Sequence, residues 1–254
     1  IDYNKKINQI KNIDAFISIT RKSFENFYQK DFDKFKSNIS WIHIAGAGIE
    51  KYFKYKKLNN KVIITHGKII QGPQVADHAL ALLLSLTRNL NLIIKYGLNF
   101  KFSRRPIELR GKNALVVGYG GVGRCVVERA FGFGMNVDVV DDKYSPISNN
   151  VRNFYLSEKY NQALKDKDVI FYTLPLTEKS KKLLNKNSIK HIKKGAFVIN
   201  VCRGEVICLK TLYKYLKNYY LGGAGLDAVE NEPINRKSKL LKLKNLIITP
   251  HIAG

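Results

Sequence analysis

The chain has 254 residues, 45% of them hydrophobic, enough to bury the core of one large domain or two ordinary ones. Its net charge of +24 comes from 34 lysines and ten arginines against 20 acidic residues, and the lysines are spread along the chain among Asn, Ile and Tyr rather than clustered on one segment or replaced by the arginine forks that read phosphates. The longest apolar run, 79–86, falls far short of the roughly 20 residues a bilayer needs, and Cys125, Cys202 and Cys208 have no CxxC spacing, so neither a disulfide framework nor a zinc site is expected.

These features argue against a nucleic-acid binder, a membrane protein and a metalloprotein, and suit a reducing cytoplasm. A positive field would attract anionic substrates such as carboxylates. A signal peptide is not expected; the only methionine is Met135 and the sequence stops at Gly254 inside a motif, so a fragment is expected.

In chain order, a β-rich run at 13–19 precedes a Phe/Tyr/Lys-rich stretch of helical spacing at 23–36. A second strand, 41–45, runs into GlyAlaGly (Gly46, Ala47, Gly48), and a third, 61–65, ends at His66–Gly67. Strands that end in Gly-rich turns and alternate with helices indicate a parallel sheet with its ligand crevice beyond the carboxyl ends. The 46–48 turn is thus a candidate for substrate contact through backbone N–H groups, or simply a tight turn. Gly72–Pro73 punctuates the chain, and the apolar period over 74–95 predicts one long buried helix. After an Arg-rich stretch (Arg104, Arg105, Arg110), a second β–α–β series has strands at 114–117, 137–140, 169–173, 196–200, 222–226 and 246–249. The domains are expected over 1–72 and 73–254.

Gly118, Gly120 and Gly123 satisfy G-x-G-x-x-G directly after an apolar strand and open a helix at 124–130, as a dinucleotide site requires. The first glycine permits the tight turn, the second lets the backbone approach a pyrophosphate, and the third lets helix and strand pack closely. Asp141 ends the next strand, 18 residues beyond Gly123. A carboxylate there can accept both ribose hydroxyls and would repel a 2′-phosphate, which favours NAD(H) over NADP; the alternative is a residue that only starts a turn.

Reduction of a 2-keto acid needs a cation for the carboxylate and carbonyl, a proton donor for the developing alkoxide, and a hydride placed on the carbonyl carbon. Arg203, at the carboxyl end of a buried strand, offers a planar fork that matches a carboxylate. His251 follows another strand, and imidazole is the side chain best poised to move a proton near neutral pH. Glu232, 19 residues earlier, would orient the imidazole and favour its cation. Asp227 could face the nicotinamide end of a cofactor or cap a turn. Taken singly, Arg203 could equally be a surface residue and His251 a structural one.

The segments GYGGVG, YTLPLTEKSKKLLN, INVCRGEVI, GLDAVENEP and TPHIAG resemble, in order, the signatures of the D-isomer-specific 2-hydroxyacid dehydrogenases, and AGAG at 45–48 and VADHALALLLSLTRN at 75–89 resemble two further stretches. The resemblance covers most of the chain after Trp41. It implies an α/β protein with a Rossmann-type doubly wound parallel-sheet NAD-binding domain, a smaller flavodoxin-like substrate domain, and an active site in the cleft between them. It also implies Arg203 as substrate-binding cation, His251 as general acid/base and Glu232 as its partner. Cofactor contacts are implied at Gly121, Val122, Asp141, Thr173, Val201, Cys202, Asp227 and Gly254. The family begins with a further strand and closes with a helix, both expected to be missing from this chain, and Cys202 stands where many relatives carry Ala. Formate dehydrogenases of the same fold lack the Glu–His pair, so formate is disfavoured. The substrate expected is a small 2-keto or 2-hydroxy acid of the hydroxypyruvate, glyoxylate or 3-phosphoglycerate class, with GKIIQGPQVADH closest to the hydroxypyruvate/glyoxylate type. His66, Lys68 and the 46–48 turn are expected to shape selectivity, and a homodimer is expected. The alternative is an NADH-binding protein of the same fold that acts through partners, in the manner of the corepressors.

Overall fold

The computed structural model describes residues 12–46, 48, 52, 61–67, 69–99, 101 and 105–254. The chain divides into two compact units, 1–71 and 72–254. Ala47, Lys68 and Arg104 lie outside the described residues.

In the first unit, β1 (Ala15–Ser18), β2 (Trp41–Ile44) and β3 (Ile63–His66) run parallel in that order. Helix α1 (Arg21–Lys30) opens on a capping box, in which Thr20 Oγ1 accepts from the Ser23 amide and Ser23 Oγ accepts from the Thr20 amide. The helix expected over 23–36 is divided at Asp31, whose backbone leaves the helical region before the short α2 (Phe32–Phe35). Phe24, Phe27, Phe32 and Phe35 all turn inward onto Ile42 and Ile44. Aromatic side chains thus supply much of the buried apolar surface of this cluster.

The second unit begins with α3 (Gly72–Thr87) and α4 (Leu90–Tyr96). One helix was the expectation here; Asn89 breaks it by adopting φ 58, a left-handed conformation that Asn tolerates better than most residues. Seven parallel strands follow: β4 (Asn113–Val117), β5 (Asn136–Asp141), β6 (Asn153–Leu156), β7 (Val169–Tyr172), β8 (Phe197–Asn200), β9 (Gly223–Leu226) and β10 (Leu246–Ile248). They stand in the order β10-β9-β8-β7-β4-β5-β6.

Strand periodicity divides the core in two. Ala114 and Val116 of β4 join Val126, Val127 and Ala130 of α5 (Gly121–Gly132) and Leu80, Leu83 and Leu86 of α3. Leu115 and Val117 join Tyr160 and Ala163 of α6 (Tyr160–Ala163) and Leu212 and Leu216 of α7 (Leu209–Lys217). A sheet covered on both faces explains why β7, β8 and β9 are buried at every position. Edge strand β6 went unread in the sequence because NFYL is only half-buried and lacks that continuous apolar signature.

Inside this unit lies a buried ion pair. Asp138 of β5 is buried, with Arg152 Nε and Lys167 Nζ each 2.9 Å from its carboxylate. Burial alone would raise its pKa, but hydrogen bonds and charge from Arg152 and Lys167 outweigh that and hold it below the ordinary carboxylate value. A lowered folded pKa stabilises the fold above the unfolded value of about 3.9, and that contribution is lost as pH falls through the folded value. Asp138→Ala, which strands Lys167, is expected to cost about 3–5 kcal/mol in urea unfolding at pH 7. The gap between variant and parent should narrow as the solution is taken below pH 4.

Candidate functional site

Strand β4 is followed in the chain by β5 on one side, whereas β7 lies on its other side, so the topology of the seven-stranded sheet switches at β4. Ligands of open parallel sheets bind beyond the carboxyl ends at such a point. The carboxyl ends of β4, β5, β7, β8, β9 and β10 and the segments that follow them carry, in turn, Gly118–Gly123, Asp141, Thr173, Val201–Arg203, Asp227–Glu232 and His251. The candidate residues of this unit therefore share one sheet edge.

The first loop is built for close approach. Gly118 has φ 99, and a Cβ at Gly123 would lie 1.9 Å from the Gly118 carbonyl oxygen. Thr173 Oγ1 donates to the Gly118 and Val117 carbonyls (2.7 and 3.2 Å), which fastens the loop to the end of β7. At Gly120, the residue that caps α5, a Cβ would meet nothing within 4 Å. The amides of Gly121 and Val122 open α5, whose N-terminal end is suited to a diphosphate. Asp141 Oδ2 accepts from the Tyr119 amide (2.6 Å) and Oδ1 from the Asp142 amide (2.7 Å). The Arg124 guanidinium stacks over the Tyr119 ring at 4.3 Å. Open space outside Gly120 and a fixed carboxylate at the next strand end fit a dinucleotide.

The loops after β8 and β9 are stitched together by Asn200, which is fully buried. Its amide nitrogen donates to the carbonyls of Arg203 (3.1 Å) and Ala228 (3.3 Å), and its oxygen accepts from the Cys202 amide (3.2 Å). Gly204 admits the second loop, since a Cβ there would lie 2.0 Å from the Val229 carbonyl carbon. Arg203 is half-buried, and its Nη1 donates to the Cys202 carbonyl at 2.9 Å. Cys202 turns inward: its thiol donates to Asn200 Oδ1 (3.0 Å), and burial pushes its pKa up to about 12. The side chain is thus a core group rather than a lining one.

Glu232 and His251 are brought into direct contact. Glu232 Oε1 accepts from the Val229 amide (2.9 Å), and Oε2 lies 2.8 Å from His251 Nδ1. His251 itself has φ 58, and its amide donates to the Asp227 carbonyl (2.9 Å). The Asp227 carboxylate is buried and engaged on both oxygens. Oδ1 accepts from Thr249 Oγ1 (2.6 Å) and the Ile252 amide (3.0 Å), and Oδ2 from the Ala253 amide (3.0 Å). Of the two readings of Asp227, the turn-organising one describes these contacts. Val201 follows β8, its amide donating to the Tyr172 carbonyl (3.3 Å), and Gly254 lines an open cavity of about 440 Å³ with His78 and Gln74. In the first unit, Gly46 follows β2, Gly48 is half-buried, and His66 Nδ1 is buried with no hydrogen-bond partner among the described residues.

Asn200, Gly204, Thr249 and His78 were absent from the sequence-based site. Asn200 was findable as a lone polar residue closing the apolar run AFVI; the others lay inside motifs read for their neighbours.

Residues 80–253 match the family model of the D-isomer specific 2-hydroxyacid dehydrogenase NAD binding domain. The chain belongs to that family. A hydroxypyruvate reductase of Thermotoga maritima is 32% identical, over 85% of this chain and 71% of its own length. A glyoxylate reductase of Pyrococcus furiosus is 27% identical, over 100% of this chain and 77% of its own. Among solved structures, a D-isomer specific 2-hydroxyacid dehydrogenase family protein from Aeromonas salmonicida superposes with a TM-score of 0.79 at 27% identity, covering 95% of this chain and 76% of that one. As a family member the chain is a nicotinamide-dependent oxidoreductase acting on the CH–OH group of 2-hydroxy acids, built on a parallel-sheet Rossmann-type domain.

Gly204→Ala tests the closeness of the two loops. The added methyl would force the Val229–Glu230 backbone away, costing about 1–3 kcal/mol by overpacking. A lower thermal midpoint together with reduced turnover is expected, and unchanged values of both would mean the loops are not held in this contact.

Proposed function

We propose that this chain interconverts a 2-keto acid and its D-2-hydroxy acid with NAD(H), Arg203 binding the carboxylate and carbonyl and His251 acting as general acid/base. The observation that carries the reading is the 2.8 Å contact of Glu232 Oε2 with His251 Nδ1. An ionised carboxylate only accepts, so this contact keeps the ring proton on Nδ1 and leaves Nε2 to give a proton to, or take one from, the substrate oxygen. Glu232 is in turn oriented by the Val229 amide. The bound nicotinamide supplies or accepts the hydride. The site residues then need only hold the acid, polarise its carbonyl and move one proton, as positioned general acid–base groups do.

The cofactor contacts proposed are Gly118, Gly120, Gly121, Val122, Gly123, Asp141, Thr173, Val201, Cys202, Asp227 and Gly254, with Cys202 restricted to its backbone. Asp141 supports a preference for NAD(H) over NADP(H). Gly46 and Gly48 are proposed to contact substrate through their backbone amides, with His66 paired with Ile44 on the neighbouring strand. Hydroxypyruvate and glyoxylate are the favoured substrates and 3-phosphoglycerate the next, a ranking supported by the names of the relatives. The exposed apolar side chains of Leu90, Ile94 and Tyr96 on α4 support a homodimer, and the cysteine usage supports a cytoplasmic setting. Among the described residues no helix is long and apolar enough to cross a membrane.

The test is to add NADH, and separately NADPH, with hydroxypyruvate, glyoxylate, pyruvate or 3-phosphohydroxypyruvate, and to follow nicotinamide absorbance. Loss of NADH with one of these acids is expected. His251→Ala is expected to lower turnover roughly a hundredfold to ten-thousandfold while NADH still binds, and Arg203→Ala to act mainly on the keto acid. Tight NADH binding with no turnover of any acid would favour a corepressor-like role instead.

A further inference from the structure

We propose that His78 of α3 is a positioning residue for this reaction, fixing through Thr249 and Asp227 the turn that carries His251. The inference rests on the acid–base role given to His251. His78 Nε2 lies 2.9 Å from Thr249 Oγ1 and 3.4 Å from Asp227 Oδ1, joining residues 171 positions apart in the chain.

The proton inventory settles the direction of these bonds. Thr249 has one hydroxyl proton, and at 2.6 Å it is given to the Asp227 carboxylate, which only accepts. Thr249 Oγ1 must then accept from His78, so His78 Nε2 carries a proton. That donation holds the hydroxyl so that its own proton points at Asp227.

Asp227 is the hub of the turn. Besides Thr249, its carboxylate accepts from the amides of Ile252 and Ala253, and its carbonyl accepts from the amide of His251. His251 sits between these anchors at φ 58, where side-chain-bearing residues are uncommon and surrounding contacts must hold the backbone. The imidazole that meets Glu232 is therefore aimed by a backbone that Asp227 fixes and His78 supports. One edge of His78 also opens, with Gln74, Ile252 and Gly254, on the cavity at the end of the turn. His78 makes no contact with Glu232 or His251 among the bonds described, so its effect runs through the turn.

The experiment compares His78→Phe and Thr249→Val, which remove the polar links, with His78→Gln and Thr249→Ser, which keep a donor or a hydroxyl. Turnover is measured per NADH-binding site, so that unfolded protein does not imitate the effect. Amide hydrogen exchange of Ile252 and Ala253 is measured alongside. The first two variants are expected to lose roughly tenfold to a hundredfold in kcat, with little change in NADH affinity, as misplacement of a catalytic group does. Their Ile252 and Ala253 amides should exchange at least tenfold faster, and Thr249→Ser should restore most of both. Parental kcat and exchange in His78→Phe, or a loss in Thr249→Ser as large as in Thr249→Val, would overturn the proposal. If the parent protein reduces none of the keto acids, the functional reading fails separately, and the exchange rates still decide whether His78 holds the turn.

Discussion

The site depends on a buried carboxylate. Asp227 closes β9 in a place where an ionised group left without partners would be costly, and it is satisfied by donors from the end of β10 and from the turn that follows it, Thr249, Ile252 and Ala253. Satisfying the charge and shaping the turn therefore go together. The position of His251, and hence its contact with Glu232, is the consequence.

The same device recurs along the sheet edge. Thr173, just past β7, binds carbonyls of the loop that leaves β4. Asn200, at the end of β8, binds carbonyls of its own loop and of the loop that leaves β9. Asp227, just past β9, binds the turn that leaves β10. At the carboxyl end of each of β7, β8 and β9, one polar side chain ties a neighbouring loop. The outcome is a row of loops whose backbones are set by buried hydrogen bonds, while the outer side of Gly120 and the half-exposed His251 and Glu232 stay available to ligands. Rigid supports beneath an accessible edge are what a positioned acid–base site requires.

Much of this was legible in the sequence for a physical reason. Strands covered on both faces must be largely apolar, so β4, β7, β8 and β9 announced themselves, as did β5 around its single buried Asp138, and the glycines after β4 have spacing that close packing demands. Glu232 and His251 were readable as a pair only because ordered motifs supplied the fold that joins them. What escaped depends on single backbone angles or on contacts distant in sequence. Asn89 and Asp31 interrupt helices whose apolar spacing continues across them, and β6 lies at an edge where burial is partial. His78 sits on the polar side of an apolar helix and gains its meaning from Thr249, which no local pattern could supply. Cys202 was expected at a cofactor-contacting position where many relatives carry Ala, and its thiol joins the core beside Asn200.

The central claim is that this edge reduces a 2-keto acid on one face only, with Arg203 holding the acid and His251 giving the proton. The most direct test is the configuration of the product. Whichever chiral 2-hydroxy acid forms from NADH and hydroxypyruvate, pyruvate or 3-phosphohydroxypyruvate should be separated on a chiral column. The D isomer alone is predicted from the parent protein; the L isomer, a racemate, or no product from protein that binds NADH would contradict the account.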